Sequence, residues 1–338
     1  MTFSSIISEQ VNKLDVTRNW WPKFFFHFTD VHNAASILYD GYIYSRSEAQ
    51  RRSVMSSENA STFVIDATRP ESKTYGRLYF RPKTPTQYNN EGYKPKTVRN
   101  AEINANCPMP VFFLMDANGI LQLDGTKFAE RGIAGNRADV REGVDKYSEL
   151  NFDKIYHDGP YDKNIDYDIK EYRHSEIIRR GGFPLEPYLR GLLCRSEAEK
   201  DTLMYLLKGY SARLYNTYHN RIFYKPDLNC FYNNGVFLRN VVYYRDHLDL
   251  ELNDPGERIG VNDGKILFFC RIFLQMKSKE GAIVDEIQYE VELDYNRIHR
   301  LSLNLGTGHS YSNLRVKVFF DDSIMYENEV SVEDVWVT

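Results

Sequence analysis

The sequence predicts an α+β domain followed by an all-β domain, and two features of its 338 residues favour this division. Up to about residue 232, short aromatic and apolar strands alternate with helical stretches and polar loops. From residue 233 to 338, strands of alternating apolar and polar residues follow one another through turns without a helical pattern. Such spacing is typical of an antiparallel sandwich. A chain of this length also favours two domains over one or three.

The composition excludes several classes of protein. Charged residues make up 27% and hydrophobic residues 42%, which is enough for a buried core. The formal net charge is −4, so any contact with nucleic acid has to come from local patches. The four cysteines are far apart and form no Cys-x-x-Cys pair, which favours reduced thiols and a cytoplasmic location. No leader of basic and apolar residues opens the sequence, and no apolar run reaches about 18 residues, so we expect neither export nor a membrane span.

The first elements follow from hydrophobic period and capping residues. Residues 1–22 predict an amphipathic helix that packs on the first domain. A strand at 24–28 runs into a helix from about Asn33 to Tyr39, with Gly41 as its C-terminal cap. The polar segment 45–62 predicts a mobile loop.

Further elements of the first domain are predicted in the same way. The predicted elements are strands at 76–81 and 110–115, a turn at "DANGIL" leading into a short strand, an irregular ordered loop at 150–172, a strand at 175–180, and a helix at 196–209. Ser196 and Glu199 predict a capping box at the start of the last helix.

Three pieces of the first domain place polar, chemically useful side chains at the ends of strands. They are "HFTDVHN" (27–33), "LYFRPKTPTQY" (78–88) and "YRHSE" (172–176). Together, and in this order, they resemble the DarT family of DNA ADP-ribosyltransferases, toxins that cleave NAD and attach ADP-ribose to a base of single-stranded DNA. The resemblance covers about residues 23–232 and implies the ADP-ribosyltransferase fold, in which split mixed and antiparallel sheets are flanked by helices.

The resemblance also implies roles for individual residues. His27, Phe28 and Thr29 would hold the adenosine-side ribose and nearby groups of NAD, and Asn33 would help to cradle the dinucleotide. Tyr79 would stack on nicotinamide, and Glu176 would stabilise the positive charge that builds on the ribose as its bond to nicotinamide breaks. Taken singly, each residue also fits an ordinary structural role, such as a half-buried histidine, a helix-start threonine, a sheet tyrosine or a surface carboxylate.

The family also implies an arginine in the loop after the first helix. Arg51, Arg52 and Arg69 are the candidates, and Arg69 is preferred because it follows a short apolar stretch. Two residues before Glu176, where arginine-modifying transferases have Glu and the DarT pattern has Gln, this sequence has His174. Protein-arginine modification is therefore disfavoured, and an imidazole is available to hydrogen-bond or deprotonate a base.

The loop before Glu176 predicts the surface that contacts the acceptor. Tyr161, Lys163 and Arg173 belong to a run in which aromatic and basic residues alternate, as stacking on single-stranded bases requires. DNA is the acceptor implied by the resemblance, and RNA remains open because of His174 and the second domain. The aspartates of this loop match no calcium-loop spacing, so no metal is expected.

The predicted function is therefore an NAD-dependent mono-ADP-ribosyltransferase that modifies single-stranded nucleic acid. It would act as the toxin of a toxin–antitoxin or phage-defence system, and residues 233–338 would dock an antitoxin or another regulatory protein. Other possibilities stay open. The transferase fold could be inactive and only bind nucleic acid or a protein, and the second domain could merely stabilise the first. An RNA 2′-phosphotransferase is disfavoured because the sequence shows no dense basic pocket for a phosphate.

Overall fold

The structure of the chain is a computed structural model. It describes residues 1–54, 69–99, 106–133, 139–162, 165–166, 168–305 and 311–335. The strands, in chain order, are β1 (Phe24–Asp30), β2 (Tyr42–Tyr44), β3 (Tyr75–Tyr79), β4 (Pro110–Asp116), β5 (Thr126–Ala129), β6 (Val140–Arg141), β7 (Glu176–Arg180), β8 (Gly182–Pro184), β9 (Leu189–Cys194), β10 (Ile222–Tyr224), β11 (Leu238–Tyr243), β12 (His247–Leu252), β13 (Leu267–Lys277), β14 (Ile283–Asp294), β15 (Arg300–Asn304), β16 (Asn313–Phe320) and β17 (Ser323–Ser331).

The helices lie mainly in the first two thirds of the chain. They are α1 (Phe3–Lys13), α2 (Val31–Asp40), α3 (Arg46–Arg52), α4 (Pro85–Asn90), α5 (Ala117–Gln122), α6 (Val144–Ser148), α7 (Phe152–Ile155), α8 (Ile169–Tyr172), α9 (Glu197–Tyr210), α10 (Ala212–Tyr218) and α11 (Val332–Val335). Across the described ranges, no helix has both the length and the apolar composition needed to cross a membrane.

The first unit is built on a mixed eight-stranded sheet in the order β10-β9-β4-β1-β3-β7-β5-β6. β1 pairs with β4 along its whole length, from Phe24 opposite Asp116 to Asp30 opposite Pro110. Its pairing with β3, by contrast, consists of the single pair Phe26–Tyr79. The sheet is therefore split at this point into two halves.

The second unit contains two antiparallel sheets, β11-β12-β15 and β14-β13-β16-β17. β13 and β16 are buried at every second residue, so each strand turns one face inward. Residues of both sheets share one hydrophobic cluster, separate from the cluster of the first unit. The predicted fold class, an α+β unit followed by an all-β unit, is confirmed.

Capping residues explain where α2 begins and ends. Asp30 is extended, and its side chain accepts a hydrogen bond from the backbone N–H of His32, so α2 begins at Val31, two residues before the predicted start. Gly41 ends this helix in the left-handed conformation at φ 69°, as predicted. The strand that precedes it extends to Asp30, two residues further than expected.

Several loop predictions were wrong. "DANGIL" forms α5, because the Asp116 side chain caps it at Gly119 N and its apolar residues face the core. The segment 150–172 contains α7 and α8, and Ser45 caps α3 inside the predicted loop 45–62, of which residues 55–62 lie outside the described residues. The capping box at α9 is half formed: Ser196 accepts from Glu199 N, but the Glu199 carboxylate accepts from Arg195 N.

A buried ionic network joins the two units. The Arg195 guanidinium is paired with Glu199, lies 3.8 Å from a Glu91 carboxylate oxygen, and lies flat over the Phe237 ring at 3.9 Å. Glu91 also accepts from the backbone N–H groups of residues 232 and 233, at the start of the second unit. Tyr93 packs inside the hydrophobic cluster of the second unit. The contacts that hold the units together are therefore buried and partly charged.

Candidate active site

The polar residues singled out in the sequence meet where the sheet splits. Phe26 and Tyr79 form the one pair between β1 and β3, and His27 follows directly on β1. On the other side of β3, Tyr79 pairs directly with Glu176, the first residue of β7. Three strands therefore bring His27, Tyr79 and Glu176 into one region.

Glu176 is a buried carboxylate with two fixed partners. Its side chain is 4% exposed, and one oxygen, Oε2, accepts from the backbone N–H of Ile133 at 2.8 Å. The other oxygen, Oε1, lies 3.6 Å from a guanidinium nitrogen of Arg77. Burial raises the pKa of Glu176, and both the positive charge of Arg77 and the Ile133 N–H act in the opposite direction.

Arg77 contacts both Glu176 and His27. Its guanidinium faces Glu176 and also donates to the carbonyl of Ser72, while its own carbonyl lies 3.3 Å from His27 Nδ1. Arg77 was not among the predicted site residues. The signal was present, however, because residues i and i+2 of a strand share a face, and Arg77 stands two residues before Tyr79.

The imidazole of His27 is held in one form. Burial lowers its pKa to about 4, so the ring is neutral near pH 7. Because the Arg77 carbonyl can only accept, Nδ1 carries the proton and donates it there, which leaves Nε2 as a hydrogen-bond acceptor. The ring packs edge-on against Phe113, at 6.0 Å between centroids.

Tyr79 and His174 are connected through Thr86, a second residue that the sequence analysis did not single out. Burial and, second, the charge of Glu176 raise the pKa of Tyr79 to about 12, so its phenol stays protonated, and it is hydrogen-bonded to the Thr86 side chain. The Thr86 hydroxyl also lies 3.2 Å from His174 Nε2, while His174 Nδ1 lies 3.1 Å from the Lys170 carbonyl. Burial lowers the pKa of His174 to about 4, so this ring is neutral too and accepts through Nε2.

The remaining predicted NAD-binding residues lie at the junction of β1 and α2. Phe28 packs against Phe112, at 5.3 Å between ring centroids. Thr29 and Asn33 are both buried, and the latter stands in the first turn of α2. Asp30 accepts from the His32 N–H of that turn, and Asn33 lies one residue further along the helix.

The three arginine candidates are exposed and precede β3 in the chain. Arg51 and Arg52 are exposed and pair with Glu48 on α3, at 2.6 Å and 2.5 Å. Arg69 is exposed, and its carbonyl accepts from Ser72 N in the turn ahead of β3. The guanidinium that the structure places against Glu176 is that of Arg77.

The predicted acceptor residues are partly described. Arg173 lies over the Tyr161 ring at 5.0 Å, and its guanidinium contacts the Gly159 carbonyl at 2.5 Å and His157 Nδ1 at 2.8 Å. These residues therefore form one cluster in the loop before Glu176. Lys163 lies outside the described residues.

Comparison with known proteins gives the family. The family model of DarT, described as ssDNA thymidine ADP-ribosyltransferase, matches residues 26–225, more than half of the chain. Among curated proteins, none matches. Solved structures of Thermus sp. 2.9 DarT, in complex with NAD+ and in complex with ADP-ribosylated ssDNA, are each 14% identical with a TM-score of 0.47; each match covers 61% of this chain and, respectively, 97% and 96% of those chains. Thermosipho africanus DarTG in complex with ADP-ribose is 14% identical with a TM-score of 0.46, over 65% of this chain and 53% of that one.

At these TM-scores the assignment rests on the match to the family model. The match confirms the predicted family and enzyme class, an NAD-dependent ADP-ribosyltransferase, and its span agrees with the predicted range 23–232. The chain belongs to the DarT family of ssDNA thymidine ADP-ribosyltransferases.

Proposed function

We propose that this protein cleaves NAD and transfers ADP-ribose to a base of single-stranded DNA, a thymine as the family description implies. The observation that carries the proposal is the buried carboxylate of Glu176, held by Arg77 and Ile133 N in the same region as His27 and Tyr79. A buried carboxylate whose pKa is shifted by burial and by a specific charged partner is typical of catalytic sites.

Glu176 stabilises the charge that develops during cleavage. The bond between ribose C1′ and the nicotinamide nitrogen breaks, and its electron pair returns to the ring, which leaves as neutral nicotinamide. Positive charge then builds on the sugar, as in glycoside cleavage. A fixed carboxylate in a site of low polarity lowers the energy of such a state more than that of the ground state.

Residues of β1, α2 and β3 hold the dinucleotide. His27 accepts a ribose hydroxyl through Nε2, since its Nδ1 is bound to Arg77. Phe28, Thr29 and Asn33 line the adenosine side, and Tyr79, which stays protonated, stacks on nicotinamide. Of these residues, His27 is neutral and Tyr79 is protonated near pH 7, because burial shifts the pKa of each.

The acceptor base enters beside His174, Tyr161 and Arg173, with Lys163 from the same loop. A ring nitrogen of the base bonds to C1′ and releases its proton, which His174 Nε2 or water accepts. Aromatic and guanidinium faces hold the neighbouring bases by stacking. RNA, the alternative acceptor, shares this stacking chemistry and is distinguished in the experiment.

Labelled NAD and single-stranded oligonucleotides test the proposal. Purified protein should label DNA that contains thymine, and DNA without thymine and matched RNA should remain unlabelled. Glu176→Gln keeps the shape of the side chain and removes its charge, and we expect a loss of about 10²- to 10³-fold in rate. Glu142→Gln, which removes an exposed carboxylate paired with Lys127, is the matched control. Intact NAD with unlabelled DNA and RNA would reject the proposal in favour of an inactive binding protein, and labelled RNA would reassign the acceptor.

The protein acts in the cytoplasm as the toxin of a toxin–antitoxin or phage-defence system, and residues 233–338 dock the antitoxin. The docking part of this proposal is supported by the outer strand β14, which pairs with β13 alone within the described ranges and exposes Glu286, Glu290 and Glu292. Induced expression should stop growth for the wild type but not for Glu176→Ala, and co-expression of the adjacent gene should restore it. Reversal of the three β14 glutamates to Lys should abolish that rescue, and unchanged rescue would place the antitoxin elsewhere.

A further inference from the structure

Arg81 is hydrogen-bonded to the loop His157–Tyr161, and neither the sequence motifs nor the family match assigns a role to it. Arg81 is 1% exposed. Its guanidinium donates to the carbonyl of His157, to Asp158 Oδ1 at 2.9 Å and, through Nε, to the Pro82 carbonyl at 2.9 Å. Burial lowers the pKa of Arg81 to about 10, which leaves it charged at neutral pH. A buried guanidinium that donates to two groups of one loop and to the end of its own strand fixes that loop in place.

The same loop is also held by Arg173, through Gly159 O and His157 Nδ1. The two arginines stand close to the reacting groups along the chain, since Arg81 follows Tyr79 by two residues and Arg173 precedes Glu176 by three. Two residues span at most about 7 Å of extended chain. The side chains that hold the loop are therefore anchored within a few residues of the reacting groups.

Residues N-terminal to the segment matched by the family model contact Arg81 and the residue before this loop. The Trp21 ring lies under the Arg81 guanidinium at 4.8 Å, and Arg18 donates to the carbonyl of Tyr156 at 2.7 Å. Both residues precede residue 26, where the match begins. The N-terminal segment of this chain therefore braces Arg81 and the start of the loop together.

We propose that Arg81 is a positioning residue that sets the acceptor loop and so decides how ADP-ribose is divided between nucleic acid and water. The inference rests on the proposed function. Glu176, Arg77 and His27 cleave NAD without contact from Arg81, whereas capture of the sugar depends on a base held beside C1′. When the loop moves, a water oxygen bonds to C1′ instead and loses a proton to solvent, and free ADP-ribose is released.

The test measures total NAD cleavage and labelled DNA in the same reaction. Arg81→Lys keeps the positive charge but loses the planar fork, and Asp158→Asn weakens the grip at a side chain that is 35% exposed. We expect cleavage within about twofold of wild type and a fall of about tenfold or more in the transferred fraction, since displacement by about 1 Å can cost that much in an oriented reaction. Arg18→Ala should lower the fraction in the same direction, and Glu142→Gln should leave it unchanged.

The outcomes separate the two hypotheses. An unchanged transferred fraction in Arg81→Lys and Asp158→Asn overturns the positioning role. A parallel loss of cleavage and transfer in Asp158→Asn and Arg18→Ala, both folded by circular dichroism, also overturns it, because the grip would then serve stability alone. Wild-type protein that neither cleaves NAD nor labels DNA refutes the proposed function itself. If Arg81→Lys unfolds, Asp158→Asn and Arg18→Ala decide.

Discussion

Replacement of Arg77 by Gln should move the pH dependence of transfer to higher pH. At 3.6 Å and an effective dielectric constant of about 20, unit charges attract by about 4 to 5 kcal/mol. Arg77 is 26% exposed, and solvent weakens this attraction, but loss of the Arg77 charge should still raise the pKa of Glu176. Burial already raises that pKa, and Arg77 is the charge that opposes it. Since the ionised carboxylate is the active form, the rate falls as pH drops through its pKa, and a higher pKa moves that fall upward.

The assay is the single-turnover rate of transfer to an oligonucleotide between about pH 5 and 9, which reports the ionisation of the bound enzyme. Arg77→Lys keeps a charge and should shift the acid limb less than Arg77→Gln. Arg179→Gln is the matched control, because Arg179 lies on β7 and donates to Gly182 O and to Tyr42 rather than to Glu176. An acid limb of Arg77→Gln that coincides with that of wild type would show that the Arg77 charge does not govern Glu176.

Three further predictions concern other parts of the molecule. His174→Ala should slow transfer by about 10²- to 10⁴-fold, whereas His174→Gln, which can still hydrogen-bond a base, should retain much more activity; equal rates for the two would exclude this role. Glu199→Gln leaves the buried guanidinium of Arg195 without its nearest carboxylate and should cost about 3 to 5 kcal/mol of unfolding free energy in urea titrations, and an unchanged midpoint would contradict this. A fragment that ends at residue 232 should aggregate or unfold at a lower temperature than the full chain, because Tyr93 then loses its contacts with the hydrophobic cluster of the second unit. A fragment as stable as the full chain would refute this shared packing.

Those parts of the site that depend on local sequence patterns could be predicted from the sequence. An aromatic strand that ends in His27 and Thr29, followed by a helix closed by Gly41, could be read from propensity and capping alone. The cross-strand pairing of Tyr79 with Glu176, by contrast, depends on register between segments almost 100 residues apart. The sequence indicated that Tyr79 and Glu176 belong to one site only because the order of the three motifs resembles that of the family.

The residues that sequence reasoning missed act through long-range contacts. Arg77 and Arg81 flank Tyr79 and look alike in the sequence, yet one faces the carboxylate and the other is buried against Trp21 and the loop at 157–158. Strand alternation can suggest the first, but nothing local indicates which distant carbonyl receives the second. The same holds for Tyr93, whose partners lie in strands that the chain reaches much later.

The described partners of Glu176 do not use all of its hydrogen-bonding capacity. A carboxylate offers about four lone-pair positions, and the structure fills one on Oε2 with Ile133 N–H and approaches one on Oε1 with Arg77. At 3.6 Å the arginine contact is an ion pair longer than a direct hydrogen bond, so it lowers the pKa of Glu176 without occupying an oxygen at close range. Counted over the described residues, about two positions are left for ribose hydroxyls. A closer bidentate pair with Arg77 would occupy more of these positions. Without Arg77, the charge that opposes the effect of burial would be lost, and the pKa of Glu176 would rise further.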